Sequence, residues 1–167
     1  STDLPIVCII NFVLAMAPKD YSSVDANDRR GLDMSILLTQ ANTIIEASIA
    51  KGRDLGLKPL SVVVLDERAS LVACMSEDGV SQMRAKIAHG KANAAIALGM
   101  GTRALMNRAE QQAYFIQAMN GLAGGDIVPV PGGILIRDAA GVLLGSVGIS
   151  GDTSDNDEAA ALAGIAL

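Results

Sequence analysis

Residues 128–158 read VPVPGGILIRDAAGVLLGSVGISGDTSDNDE, and the order of their parts decides the fold. Ile134–Arg137 and Val142–Ile149 are apolar, strand-like runs joined by Asp138-Ala139-Ala140-Gly141, a link of hairpin length. Before them, the Pro and Gly residues of Val128–Gly133 fix a sharp, narrow path. Gly145, Gly148 and Gly151 recur within or just after the second strand, where a bare backbone signals close packing or close ligand approach. Asp155-x-x-Glu158 then reads as an N-cap and its third-position acid, opening a terminal helix.

Upstream, the same signals repeat. Leu37, Leu38, Ala41, Ile44, Ile45, Ser48 and Ile49 recur at three and four, which predicts an amphipathic helix ending near Gly52, Gly56 and Pro59. Ser61–Leu65 and Leu71–Met75, linked by five mostly polar residues, predict a second hairpin. Ser81–Leu98 is Ala-rich and predicts a long helix, stopped by Gly99-Met100-Gly101. Two short helical pieces, Thr102–Asn107 and Glu110–Met119, complete the series. Hairpin-linked strands interleaved with helices imply an antiparallel sheet covered by helices, an α+β sandwich.

Ahead of this domain, set at residues 34–167, lies an extension of 33 residues. Leu4–Pro18 is too short for a confident membrane span and resembles a secretory h-region without a basic n-region. It is expected to pack on its own domain or on a neighbouring subunit, in part as a strand over Ile6–Val13. Residues 19–33 are polar and read as a linker. No membrane span is expected. A cytoplasmic location fits, with a secreted or periplasmic one as the alternative.

Composition narrows the function. Thirteen basic against eighteen acidic residues leave a net charge of −5, and two Phe, two Tyr and no Trp offer few stacking platforms. Nucleic acid is therefore not an expected partner. Cys8 and Cys74 have no neighbouring repeat and read as small buried apolar residues. A single His, His89, excludes any site needing two imidazoles. There is no phosphate-binding glycine loop and no nucleophile elbow. Asp152–Glu158 is oxygen-rich but lacks the spacing of a calcium loop, so its acids read as helix capping.

His89 shares a helix face with Lys86 and Asn93, three and four residues away. A neutral imidazole ligates iron, and Arg84, Lys86 or Lys91 are suited to pair with carboxylates such as haem propionates. Taken alone, Lys91 reads more readily as a surface lysine with a snorkelling stem than as an anion ligand. Gly132-Gly133 is a turn whose amides suit a carboxylate. The domain's only aromatics, Tyr114-Phe115, point about 100° apart on a helix, so one can face the core and the other a pocket or interface.

The string Pro131-Gly132-Gly133, then Gly141-x-x-x-Gly145-x-x-x-x-x-Gly151, then Asp157-Glu158, together with IAHGKANAAIALGMG at residues 87–101, resembles the GlcG/HbpS haem-binding family. The C-terminal domain of PduO-type corrinoid adenosyltransferases is similar. The likeness runs from about Ser35 to Leu167. It implies an α/β sandwich with a five-stranded antiparallel sheet flanked by helices, and homo-oligomers from dimer to octamer. It also implies a haem or other tetrapyrrole ligand, and a role in haem handling, redox sensing or a catabolic operon. The family shares no single axial ligand, so His89 is named for the iron as the only His. Arg84, Lys86, Lys91, Tyr114, Gly132, Gly133 and Ser150 complete the expected pocket. The alternative is a catabolic enzyme acting on a hydroxy acid, aldehyde or ring-cleavage product. There the Gly132-Gly133 amides would hold a carboxylate and Glu158 would act as acid or base.

Overall fold

The structure is a computed structural model and describes residues 35–166. The nine described elements run α1 (Leu38–Asp54), β1 (Ser61–Asp66), β2 (Leu71–Ser76), α2 (Arg84–Leu98), α3 (Thr102–Gln111), α4 (Ala113–Leu122), β3 (Gly133–Arg137), β4 (Leu143–Ser150) and α5 (Ser154–Ile165). The strands form one antiparallel sheet in the order β2-β1-β4-β3. Among the described residues the sheet has four strands, not the five expected. The expected strand over Ile6–Val13 lies outside them.

Alternation along the central strands builds the layers. Val62 and Val64 of β1 and their partners Ile149 and Val147 of β4 point to one face. There α1 and α5 cover them with Ala41, Ile44, Ile45, Ile49, Ala160 and Ala161. The apolar spacing read from the sequence of α1 is this buried stripe. Leu37 N–H donates to Gln40 Oε1 across the first turn of that helix, half of a capping box.

Val63 and Leu65 point the other way and meet Ala88 and Ala92 of α2. On this face β4 contributes Ser146, Gly148 and Ser150, all buried. A Cβ on Gly148 would strike the Ala88 carbonyl, and Ser146 Oγ donates to the Ala92 carbonyl at 2.9 Å. Small residues on both elements therefore let α2 lie directly on the β4 backbone. The result is a helix–sheet–helix sandwich in which α2 is the main cover on one side, joined at the edge by the start of α3. A smaller cluster of Ala94, Leu105, Ile116 and Ile127 ties α3 and α4 to the far end of α2.

Three local expectations need correction. The last helix is capped not by Asp155 but by Thr153, whose Oγ1 accepts the Asn156 N–H at 3.3 Å. The threonine is already extended where the chain leaves β4, so it takes the cap two residues earlier. The pieces after α2 run longer than expected, to Gln111 and Leu122. Cys74 is exposed rather than buried, because β2 is an edge strand whose burial is incomplete along its whole length.

Candidate functional site

Helix α2 carries four of the residues singled out in the sequence, Arg84, Lys86, His89 and Lys91, and the fold divides them between two faces. Lys86, His89 and Asn93 form an outward stripe, as their spacing requires. Arg84, Ala88 and Lys91 form a second stripe: Arg84 and Lys91 are seven residues apart, nearly two full turns. Lys91 and His89 project about 200° apart. The expected single pocket is therefore two separate stations.

On the outward face His89 is half-buried, with 35% of its side chain accessible. Its Nδ1 lies 3.1 Å and 3.3 Å from the two oxygens of Asp126. A carboxylate only accepts, so Nδ1 carries the hydrogen, and in the neutral imidazole that leaves the lone pair on Nε2. Asn93 holds this carboxylate's residue in place: its Nδ2 donates to the Asp126 carbonyl at 2.8 Å and approaches the side chain at 3.4 Å. Gly90 makes the approach feasible, since a Cβ there would sit 2.6 Å from Val128. The segment carrying Asp126 thus presses against the helix beside His89, and Val128 N–H donates to the Gly90 carbonyl. Lys86, one turn before His89, is exposed.

On the inward face Lys91 is 1% exposed, so it is no snorkelling surface lysine. Its Nζ donates to Asp157 of α5 at 2.7 Å, and the other oxygen of Asp157 accepts the Asp152 N–H. Burial pushes the Lys91 ammonium below the ordinary lysine range, with Asp157 opposing that shift. Gly132 and Gly133 close over this pair. A Cβ on Gly132, at φ +116°, would meet Lys91 Nζ and Asp157 Cβ at 3.0 Å, and one on Gly133 would strike the Lys91 carbonyl. The turn is therefore glycine because it seals a buried ion pair. The Gly133 N–H is taken by Thr102 Oγ1 at 2.8 Å. Arg84, also on this side, donates to Ser150 Oγ at 3.3 Å.

The remaining expected residues are engaged elsewhere. Glu158 accepts from Arg103 at 2.6 and 3.0 Å, and Arg103 also meets Asp155. Tyr114 is 73% exposed on α4, while Phe115 is half-buried under the Arg108 guanidinium, 3.8 Å away. The pair splits between core and surface as expected. Asp126, Thr102 and Arg103 were missed in the sequence, and Asp157 was read as a motif residue and a capping acid, not as a partner of Lys91. Arg84-x-x-x-Ala88-x-x-Lys91 was a readable inward stripe, but nothing local marked the acids that meet its neighbours. Among the described residues no cluster of three or more His, Cys, Asp and Glu stands ready for a bare metal ion.

A family model described as haem degrading protein HbpS-like matches residues 36–166, which is most of the chain and all of the sandwich. The chain belongs to the HbpS-like family. Among solved structures, this HbpS-like chain is similar to a PduOC:haem complex, at 21% identity and TM-score 0.71 over 79% of this chain and 94% of that one. It is similar to the Klebsiella pneumoniae protein ORFY, at 23% identity and TM-score 0.70 over 78% and 88%. A double mutant of HbpS from Streptomyces reticuli aligns at 21% identity and TM-score 0.68 over 90% and 94%. At these identities the likeness establishes the HbpS-like fold. No curated protein sequence matches the chain. No described helix is long and apolar enough to cross a membrane.

Proposed function

We propose that this protein binds haem as a homo-oligomer, with Nε2 of His89 as the iron ligand. The observation that carries the reading is the Asp126–His89 pair. Metal-ligating histidines almost always donate their other ring N–H to a carboxylate or carbonyl, which fixes the tautomer and raises ligand basicity. His89 has that arrangement, with Nε2 left free. The residues fit the group: Lys86 on the same stripe is placed to meet a propionate, whereas Lys91 is consumed by Asp157. Family membership supports the same ligand, as does the haem held by the similar PduOC structure. Bound haem would supply ligand exchange and one-electron chemistry, the basis of a role in haem handling or redox sensing.

His89 is open to solvent on one side, with 35% of its side chain accessible. A flat macrocycle there needs a second wall, and a second copy of the chain, in dimers or larger rings up to octamers, supplies it in this reading. The catalytic alternative has less support, because Glu158 is held by Arg103 and the Gly133 amide by Thr102.

Titrating the apo-protein with hemin and following the Soret band tests the proposal. A saturable, stoichiometric band that His89→Ala abolishes is the expected result. Equal binding by wild type and His89→Ala would remove His89 as ligand, and no Soret shift in either would remove haem.

A further inference from the structure

We propose that the cleft between the start of α2 and the ends of β4 and the α1–β1 link binds a short-chain monocarboxylate, separately from the haem station. The cleft has a volume of about 180 Å³ and is lined by Lys58, Pro59, Gly79, Val80, Ser81, Arg84 and Gly151. That is below the roughly 300–1,000 Å³ of sites for drug-sized ligands, so its occupant is small. A tetrapyrrole does not fit.

Its charge selects the ligand. Arg84 is half-buried in the wall, its one polar side-chain contact among the described residues is Ser150 Oγ, and it forms no ion pair there. A guanidinium in that position has donors to spare in a fork that matches a carboxylate. Lys58 adds a second cation without a salt-bridge partner among the described residues. The acids around the cleft are Asp152, Asp157, Asp78 and Glu77, the last of them paired with Arg53. Asp157 is neutralised by Lys91, and Asp78 is exposed to solvent. Asp152 stays ionised, its carboxyl held at about 2 by the Thr153 N–H, Asn156 and the Lys58 N–H. It offsets one of the two cations, so the cleft favours a single negative charge.

The walls favour carbon behind that charge. Pro59 and Val80 offer apolar surface, and Gly151 stays bare because a Cβ there would strike the Pro59 carbonyl. An acid of two to four carbons would place its carboxylate on Arg84 and its chain against Val80. Helix α2 adds to the attraction, since its first turn has no acid and no side-chain cap.

Isothermal titration of the full chain with propionate, with inorganic phosphate as comparator, tests this. One saturable propionate site per chain is expected, with weaker phosphate binding. Arg84→Gln should weaken propionate binding about tenfold or more, the loss of a charge-assisted hydrogen bond. Lys58→Gln, on an exposed side chain, should weaken it several-fold and decides the matter if the arginine variant does not fold. Unchanged affinity in the foldable variant overturns the proposal, as does phosphate binding as tightly as propionate. Titration of hemin-saturated protein separates the sources of the carboxylate. Retained propionate binding is expected, and its loss would make Arg84 a haem-propionate contact and overturn the separate site.

Discussion

The two faces of α2 use the same helix for opposite ends. Outward, His89 and Asp126 form a half-exposed pair whose partners keep spare capacity: a free imidazole nitrogen and an accessible carboxylate. Inward, Lys91 and Asp157 form a buried pair at 2.7 Å with glycines sealed over it. A buried pair is satisfied by its own geometry and is costly to disturb, whereas a half-exposed pair stabilises little and remains available to a ligand. The contrast teaches that solvation rather than residue type decides which ionic contact of one element is locked and which keeps capacity for a ligand.

The largest expected effect falls on the inward face. Lys91→Ala leaves the Asp157 carboxylate buried without its partner and should destabilise the fold by about 3–5 kcal/mol in urea unfolding. A loss near zero would mean water already reaches the pair. Gly133→Ala comes next: the added methyl meets the Lys91 carbonyl and Thr102 Cγ2, so about 1–3 kcal/mol should be lost by the same measurement.

The outward face should behave in the reverse manner. Asp126→Asn is expected to leave the urea midpoint nearly unchanged while weakening hemin binding about 10–100-fold, the usual cost of losing a carboxylate behind a ligating histidine. If the midpoint falls sharply as well, the outward pair is structural and the contrast collapses.

The smallest effect concerns pH. Asp152 has its carboxyl lowered from 3.8 to about 2, first by the Thr153 N–H and then by Asn156. A group with a depressed folded value contributes stability above its unfolded value and loses it as pH falls through the folded one. Stability should therefore decline as pH drops from about 4 toward 2. Asp152→Asn should flatten that part of the profile, and an unaltered acid limb would show that other carboxylates carry it.

Both hairpins, the helix order and the amphipathic face of α1 were legible in the sequence because they rest on local periodicity and turn chemistry. Lys86, His89 and Asn93 were legible as one stripe for the same reason. Lys91 was read as a surface lysine or as an anion ligand and not as a buried ion-pair partner, although its position seven residues after Arg84 and three after Ala88 placed it on the stripe that meets the sheet. The Pro131-Gly132-Gly133 turn was recognised, but its purpose was not. The structure shows backbone pressed against Lys91 and Thr102 where an open anion cradle was expected.

The sequence by itself determined an antiparallel α+β sandwich and its family, since alternation, helical spacing and glycine placement act between near neighbours. Only the tertiary structure decided which ionisable groups are partners. Asp126 lies 37 residues from His89, and Asp157 lies 66 from Lys91. No local spacing encodes such pairings. They form because small residues on α2 and β4 let the helix settle on the sheet, and that contact turns one cation inward and leaves the imidazole outside.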